Sequence, residues 1–183
     1  MRAYFYQSSR IGFSTWSLDD RLLARGLWGD EEVTRYHGGR WSAQQIEERL
    51  MLEMATLKQE GAQYWPMFLL ETDEHIGCCG IHPRDKENGV WELGCHLRRA
   101  FWSKSLGREA AEAVIRYAFD TLGVSAIFAG HHPSNSASQR FLQYLGFRYT
   151  HDEFYPPTQV MEPCYLLTAP RIGRSNNFPI KNR

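Results

Sequence analysis

A run of basic and small residues in the middle of the chain can bind an anion. Between Leu97 and Glu109 the basic residues are Arg98, Arg99, Lys104 and Arg108, and the small ones are Ser103, Ser105 and Gly107. A helix that begins here presents unpaired N–H groups and the positive end of its dipole, and small side chains let an anion approach the backbone. The segment therefore suits a phosphate or pyrophosphate. An ordinary connecting loop with a solvated basic rim explains the same residues.

A polar pair on a predicted helix forms a second candidate site. Asn135 and Ser138 share one helical face with Leu142 and Leu145, because the four residues follow the spacing i, i+3, i+7 and i+10. If the leucines face the core, the amide and the hydroxyl also point inward and need partners there. Two interpretations remain open. Both side chains cap the start of the helix, or both face a cleft and bind a polar ligand.

The hydrophobic periodicity of the chain predicts the elements that position these residues. The predicted helices span residues 17–27, 42–60, 107–122 and 134–145, and the predicted strands span 10–16, 65–71, 74–81, 90–97, 124–130, 147–150 and 163–168. The three strands between 65 and 97 follow one another as an antiparallel meander. The whole pattern indicates a single α+β domain with a mixed sheet.

Local signals place several of the boundaries. Ser17 with Asp20, and Ser42 with Gln45, have the spacing of capping boxes at two helix starts. The Asn88-Gly89 pair predicts a hairpin turn in which both residues have positive φ. Adjacent residues on a strand point to opposite faces, so Cys78 and Cys79 are expected in different surroundings.

Composition excludes several classes of protein. The 183 residues carry 21 basic and 21 acidic side chains, so the chain lacks the basic surplus that sequence-independent nucleic-acid binders use. No apolar run approaches the about 18 residues of a membrane-spanning helix. We expect residues 1–168 to form one domain and residues 169–183 a basic, flexible tail. Four cysteines without metal-ligand spacing predict free thiols in a cytoplasmic protein and no metal site.

The two candidate sites together resemble one protein family. Trp102–Ala110, with the sequence W-S-K-S-L-G-R-E-A, is similar to the acetyl-coenzyme A loop of the GNAT superfamily, often written W-G-K-G-Y-A-T-E-A. The segment N-S-A-S from Asn135, followed by L-G-F at 145–147, resembles that family's N-x-x-S … L-G-F segment. The resemblance covers residues 8–168 in consistent order. It is strongest for RimJ/RimL-type N-acetyltransferases, whose opening is similar to residues 10–35.

The resemblance implies a mostly antiparallel, twisted GNAT-like sheet flanked by helices, and direct acetyl transfer from acetyl-coenzyme A to a primary amine. It places the cofactor on Leu97, Arg98, Arg99, Ser103, Lys104, Ser105, Leu106, Gly107, Arg108, Asn135 and Ser138. Several positions depart from the family. Ala100 stands where the loop pattern (R/Q)-x-x-G-x-(G/A) has a long donor, and Leu142 stands where some relatives have a proton-donating tyrosine. Ser103 and Ser105 stand at the two small positions of the loop pattern.

The resemblance also suggests catalytic residues. Glu92 lies at the glutamate of the A-E-I-G-Y stretch of RimL-like relatives and is the candidate base, although a strand glutamate on a solvated face is the alternative. Ser138 is the candidate proton donor to the departing thiolate, and Asn135 would hold the pantetheine arm or order a water. Backbone N–H groups around Leu97 would polarise the thioester. His96 is about 13 Å from Glu92 along the strand, too far to contact the same amine.

The acceptor side is less specified. Helices 17–27 and 42–60 are expected to wall the acceptor cleft, with Trp28, Tyr36 and Trp41 nearby. A small amine, a protein N-terminus or an amino sugar suits such aromatics, and a homodimer is an open alternative to a monomer. We expect neither a membrane nor a direct nucleic-acid partner. The rival function is a non-catalytic domain that binds or senses acetyl-coenzyme A.

Overall fold

The computed structural model describes residues 2–169, which form one eight-stranded sheet with helices on both faces. The elements are β1 (Tyr6–Gln7), β2 (Ile11–Phe13), α1 (Arg21–Trp28), α2 (Glu31–Thr34), α3 (Ala43–Glu60), β3 (Tyr64–Leu69), β4 (His75–Asp85), β5 (Val90–Leu97), α4 (Leu106–Asp120), β6 (Ala126–Gly130), α5 (Ser136–Tyr144), β7 (Arg148–Tyr155) and β8 (Val160–Thr168). The strand order is β1-β2-β3-β4-β5-β6-β8-β7, and only β5 and β6 pair in parallel. The predicted mixed, mostly antiparallel sheet is confirmed.

Two hydrophobic cores lie on opposite faces of this sheet. One packs α4 and α5 against the strands, and the predicted apolar stripe of α4 is buried there through Ala111, Val114 and Ala118. The other contains residues of α1 and α3. Cys79 belongs to the first core and Cys78 to the second, so the predicted opposite orientation of the two thiols is confirmed.

The capping signals are also confirmed, but one turn differs from its prediction. Capping boxes form at Ser17 and Ser42. The β4–β5 hairpin exists, yet only Gly89 of the Asn88-Gly89 pair has a positive φ, of 66°. The Asp85 carboxylate accepts two hydrogen bonds from Asn88, one from its backbone N–H at 3.2 Å and one from its side-chain Nδ2 at 2.7 Å. Because this side chain organises a longer turn, Asn88 does not adopt the expected left-handed conformation.

Several element boundaries were predicted wrongly. The predicted strand 10–16 corresponds to β2, which pairs with β3 only as far as Phe13. The ladder ends there because Pro66 on β3 offers a carbonyl but no N–H. Strands β7 and β8 extend well beyond the predicted 147–150 and 163–168. β7 is exposed along nearly its whole length, so it lacks the polar–apolar alternation that identifies a half-buried strand. The short helix α2 was not among the predicted helices, although Asp30 caps it and Glu31 and Glu32 lie in its first turn.

Two further predictions concern the C-terminal tail and membrane-spanning helices. The expected tail lies outside the described residues from 170 onward. Within residues 2–169, no helix combines the length and the hydropathy needed to cross a membrane.

The ring of Tyr64 lies across two strand glycines. Tyr64 on β3 pairs with Gly80 on β4, and Gly80 in turn pairs with Gly94 on β5. A Cβ atom on Gly94 would overlap the Tyr64 ring and lie 2.7 Å from its hydroxyl oxygen. The absence of a side chain at Gly94 therefore allows the tyrosine to reach across the sheet toward β5.

We expect Gly94→Ala to destabilise the fold by about 2 kcal/mol, because the methyl group displaces a buried aromatic ring. Gly130→Ala on the neighbouring strand is the matched control, since its Cβ would meet no atom closer than 3.8 Å. Urea unfolding of both variants measures the difference. Equal stability of the two variants would contradict the proposed packing.

Candidate active site

Strands β5 and β6 separate after three paired residues. Their parallel ladder joins Val90 to Ala126, Trp91 to Ile127 and Glu92 to Phe128, and the described part of the chain holds no further pair between them. The rest of β5 and the end of β6 therefore border an opening in the sheet.

Two cavities meet at this opening. The first, here called the inner cavity, has a volume of about 400 Å³ and reaches toward α3 and β7. The second, here called the α4 groove, has a volume of about 580 Å³ and runs past the start of α4. Both are lined by Tyr36, His37, Cys95, His96, Asn135, Ser138 and Phe141. A ligand in the groove can thus reach a second molecule in the cavity.

The loop before α4 has a backbone suited to anion binding. Ser103 and Ser105 both adopt left-handed conformations, with φ values of 60° and 59°. Ser105 is the N-cap of α4, and its side chain makes no capping hydrogen bond. The first N–H groups of the helix are therefore not capped by this side chain, and Ser103, Ser105, Leu106 and Gly107 all line the groove.

Only one of the four basic residues lines the groove. Arg108 does so, with its guanidinium 3.5 Å from the Tyr144 ring centroid and its Nε bonded to Glu112 at 3.0 Å. Arg98 instead donates to the His75 carbonyl at 3.4 Å. The exposed Arg99 is outside the groove lining, and the Lys104 ammonium lies 5.3 Å from the Phe101 ring. Of the predicted anion-binding residues, the small ones and Arg108 thus line the groove, whereas the other three basic residues do not.

The end of β5 presents a free amide to the opening. The Arg98 N–H donates to the Ile76 carbonyl on β4 at 2.9 Å. Successive amides along a strand point to opposite edges, so the polar groups of Leu97 face away from β4. The Leu97 carbonyl accepts the Trp102 Nε1–H at 2.8 Å. The Leu97 N–H on the same edge is then available to a ligand oxygen.

Asn135 caps α5 and lines both cavities. Its Oδ1 accepts the Ser138 N–H at 3.1 Å, so the capping interpretation is confirmed for this residue. Both polar side chains also border the cavities, as the second interpretation requires, and ligand binding by them stays a prediction. Leu142 is buried in the first core and supplies no proton at the position of the family's tyrosine.

Glu92 lines the inner cavity together with other charged groups. Arg84 donates to Glu92 at 3.3 Å and is also paired with Glu153. Burial, with repulsion from Glu92, raises the pKa of the nearby Glu162. Glu92 and His96 line this one cavity despite their separation along β5. Its wall therefore contains three carboxylates and Arg84.

Two of the histidines that line the inner cavity, His37 and His96, are held neutral. The Trp28 Nε1–H donates to His96 Nδ1 at 2.9 Å, so the proton of the neutral ring is on Nε2. Burial, and then His37 and Arg49, keep the pKa of His96 well below its usual range. Burial lowers the pKa of His37 to about 4. Both rings are therefore poor proton acceptors near neutral pH.

The inner cavity also contains functional residues that the sequence did not predict. They are His37, Arg49, Tyr64, Arg84, Glu153 and Glu162. Arg49 and the fully buried Glu53 occupy positions i and i+4 of α3, a spacing typical of a surface ion pair. No sequence signal indicated that this pair is turned toward the sheet. The expected wall residues Tyr36 and Trp41 do line the cavity, whereas Trp28 supports His96 from behind.

One group of side chains has the composition of a metal site. Within the described residues, His151, Glu153 and Cys164 place their ligand atoms within 4.8 Å of one another. The Glu153 carboxylate is already paired with Arg84, so we assign no metal to this group. The two histidines that flank Cys78 and Cys79 do not form a metal site either, because one of them, His82, bonds Glu53 at 2.8 Å.

Comparisons with known proteins identify the family. The family model described as "Acetyltransferase (GNAT) domain" matches residues 10–148. The uncharacterized N-acetyltransferase p20 of Bacillus licheniformis is 34% identical over 143 residues, which cover 77% of this chain and 80% of p20. An acetyltransferase from Agrobacterium tumefaciens has a TM-score of 0.77 at 20% identity, covering 92% of this chain and 99% of its own.

The RimL ribosomal L7/L12 α-N-protein acetyltransferase has a similar fold. Its TM-score is 0.76 at 11% identity, over 88% of this chain and 92% of its own. At that identity the likeness concerns the fold alone. The family match and the p20 similarity, by contrast, cover most of the chain, including the loop before α4 and the start of α5. The protein therefore belongs to the GNAT acetyltransferase family and is an acetyltransferase.

Proposed function

We propose that the protein transfers an acetyl group from acetyl-coenzyme A directly to a primary amine. The observation that carries this proposal is the opening between β5 and β6, where a groove beside a helix N-terminus meets a cavity lined by both charged and apolar side chains. Direct transfer requires both molecules to meet in one place, and the two cavities share seven lining residues.

The α4 groove suits acetyl-coenzyme A. The helix N-terminus and Arg108 bind the pyrophosphate, since both supply donors and positive charge to an anion. The Leu97 N–H donates to the thioester oxygen and stabilises the negative charge that develops there during attack. Asn135 and Ser138 border the path between the two, and the Ser138 hydroxyl is the proposed proton source for the thiolate.

Glu92 is the proposed proton acceptor for the amine. A general base must be unprotonated and must line the acceptor cavity. His37 and His96 line this cavity but have lowered pKa values, which make them weak bases. His131 and His132, which follow β6, also line the cavity. Among the carboxylates, Glu92 is the one that lies on β5 where the opening begins, and this position makes it the proposed base.

The demand on this base depends on the acceptor. An α-amino group with a pKa of about 8 is roughly one tenth neutral at pH 7, whereas a lysine amine is neutral in only about one molecule in 2,500. Neutralising the lysine amine at pH 7 costs about 4.6 kcal/mol, which is about 3.3 kcal/mol more than the α-amino group requires. An acceptor with an α-amino group, as in RimJ/RimL-type enzymes, therefore reacts with little help from a base.

Coenzyme A release from acetyl-coenzyme A in the presence of an amine panel tests this function. Calorimetric titration with acetyl-coenzyme A is run beside it. Amine-dependent thiol release supports the transferase. Binding without release by any amine would instead favour a sensing domain, and the absence of binding by the folded protein would contradict both functions.

We expect Arg108→Glu to weaken acetyl-coenzyme A binding about tenfold or more, because it places a negative charge in the groove where the phosphates bind. Lys104→Glu makes the same charge change on a side chain outside the groove and should have a much smaller effect. Calorimetry measures both affinities. Equal losses in the two variants would point to general charge repulsion instead of a contact.

Glu92→Gln should lower kcat about a hundredfold with little change in acetyl-coenzyme A affinity, because it removes a base from the acceptor cavity. Glu153→Gln is the matched control, since Glu153 is paired with the same Arg84. Steady-state kinetics distinguish the two. If Glu153→Gln or Glu162→Gln proved the more damaging change, Glu92 would not be the base.

Asn135→Ala should lower stability by about 1 kcal/mol through loss of the helix cap and lower turnover beyond what that loss explains. Asn135→Asp separates the two roles, because its carboxylate still accepts the Ser138 N–H but lacks the amide donor. We expect this variant to keep its melting temperature and lose turnover. Full turnover in Asn135→Asp would show that the residue is only a cap.

A further inference from the structure

Arg49 enters the wall of the inner cavity from α3. Its guanidinium carbon lies 4.8 Å from the ring centroid of Tyr64 and 5.6 Å from that of Trp28. Its Nε–H donates to Glu53 Oε1 at 2.6 Å. The aromatic rings and this bond fix the orientation of the charged group beside the cavity.

The guanidinium retains an unused donor. Its Nη2 is buried and finds no hydrogen-bond partner among residues 2–169. A buried charged donor without a partner costs free energy, so such groups in native proteins are bonded by an ordered water, an ion or a ligand, or have a catalytic role.

Glu53 does not satisfy this nitrogen. One of its oxygens accepts the Arg49 Nε–H, and the other accepts the Tyr64 backbone N–H at 2.7 Å and lies 2.8 Å from His82 Nε2. The bonds of Glu53 are thus directed to the structure around α3. Nη2 of Arg49 is enclosed, whereas Nη1 makes no hydrogen bond within residues 2–169 and keeps accessible surface, so it is the nitrogen that can donate to a molecule in the cavity.

The remaining charges indicate which molecule fits. Glu92, Glu153 and Glu162 line the cavity from the strands, and Arg84 pairs with the first two. Carboxylates suit an ammonium group, and the planar guanidinium that enters from α3 suits a carboxylate. A phosphate group, with up to two negative charges, would be repelled more strongly by the three glutamates. The volume of about 400 Å³ is that of a small-molecule site.

We propose that the acceptor amine carries a carboxylate, as in an amino acid or a short peptide, and that Arg49 binds this carboxylate. The inference rests on the proposed transferase function and specifies its substrate class. Arg49 acts as a specificity determinant here, because it contacts the acceptor away from the reacting amine.

Dipeptides with a free C-terminus, each paired with its C-terminal amide, test the proposal. The α-amino groups of such a pair are closely matched, so the comparison isolates the carboxylate. A set of X-alanine dipeptides that covers the side-chain classes is assayed by thiol release. The enzymes are the wild type, Arg49→Met, Arg49→Lys and the control Arg25→Met, which removes an exposed arginine from α1.

For accepted dipeptides we expect the wild type and Arg25→Met to prefer the acid over its amide by about ten- to a hundredfold in kcat/KM. Arg49→Met should abolish this preference while acetyl-coenzyme A affinity stays unchanged. Arg49→Lys preserves a cation beside Glu53 and should retain part of the preference, which guards against a folding defect in the Met variant.

Two results would overturn the proposal. One is equal use of acids and amides by the wild type, which leaves the transferase function intact. The other is an acid preference that survives both substitutions of Arg49 in folded protein. If no amine is acetylated at all, the transferase function fails. The carboxylate site is then tested by thermal shift, with alanyl-alanine and its amide added separately to the wild type and to Arg49→Lys. Equal shifts by the acid and the amide overturn the carboxylate site.

Discussion

The parting of β5 and β6 is the constraint on which the rest of the site depends. The two strands form the only parallel pair that the structure describes in this sheet, so their connection must cross over, and α4 forms that crossover. The crossover helix then starts at the end of β5, beside the opening. The same chain geometry therefore produces an unpaired strand edge and a helix N-terminus next to each other. Unpaired amides inside a protein need partners, and a ligand lying along β5 supplies them.

The acceptor side depends on a second constraint, a carboxylate buried under the sheet. Glu53 has no exposed surface, yet it receives hydrogen bonds from Arg49 and from the Tyr64 backbone and contacts His82. Burying a charge is costly unless such partners surround it. The cluster connects α3 to β3 and β4, and it places Arg49 and Tyr64 at the cavity. The wall of the cavity is thus built by an ionic group and not by apolar packing alone.

Much of the fold could be predicted from the sequence, because its signals are local. The stripe on α4, the capping boxes at Ser17 and Ser42, and the meander all depend on residues close in the chain. The limits of β7 could not be predicted, since a strand exposed on both faces has no alternation. The groove proposed for the cofactor is lined by residues of the two linked motifs, although three of the predicted basic residues lie outside it. The acceptor side did not follow from such motifs, because Arg49, Tyr64 and His37 come together only through tertiary packing.

The two serines of the loop before α4 show what the resemblance to the family preserves. Relatives often have glycine at these positions, and glycine adopts left-handed backbone without strain. Ser103 and Ser105 adopt that same conformation, at a cost on the order of 1 kcal/mol each. Neighbouring contacts hold the loop. Trp102 bonds the Leu97 carbonyl, and Glu109 bonds the backbone and side chain of Arg10 at 2.7 Å. The left-handed backbone that an anion would contact is therefore present without the glycines. Serine at these positions raises the conformational free energy of the loop and keeps this backbone conformation.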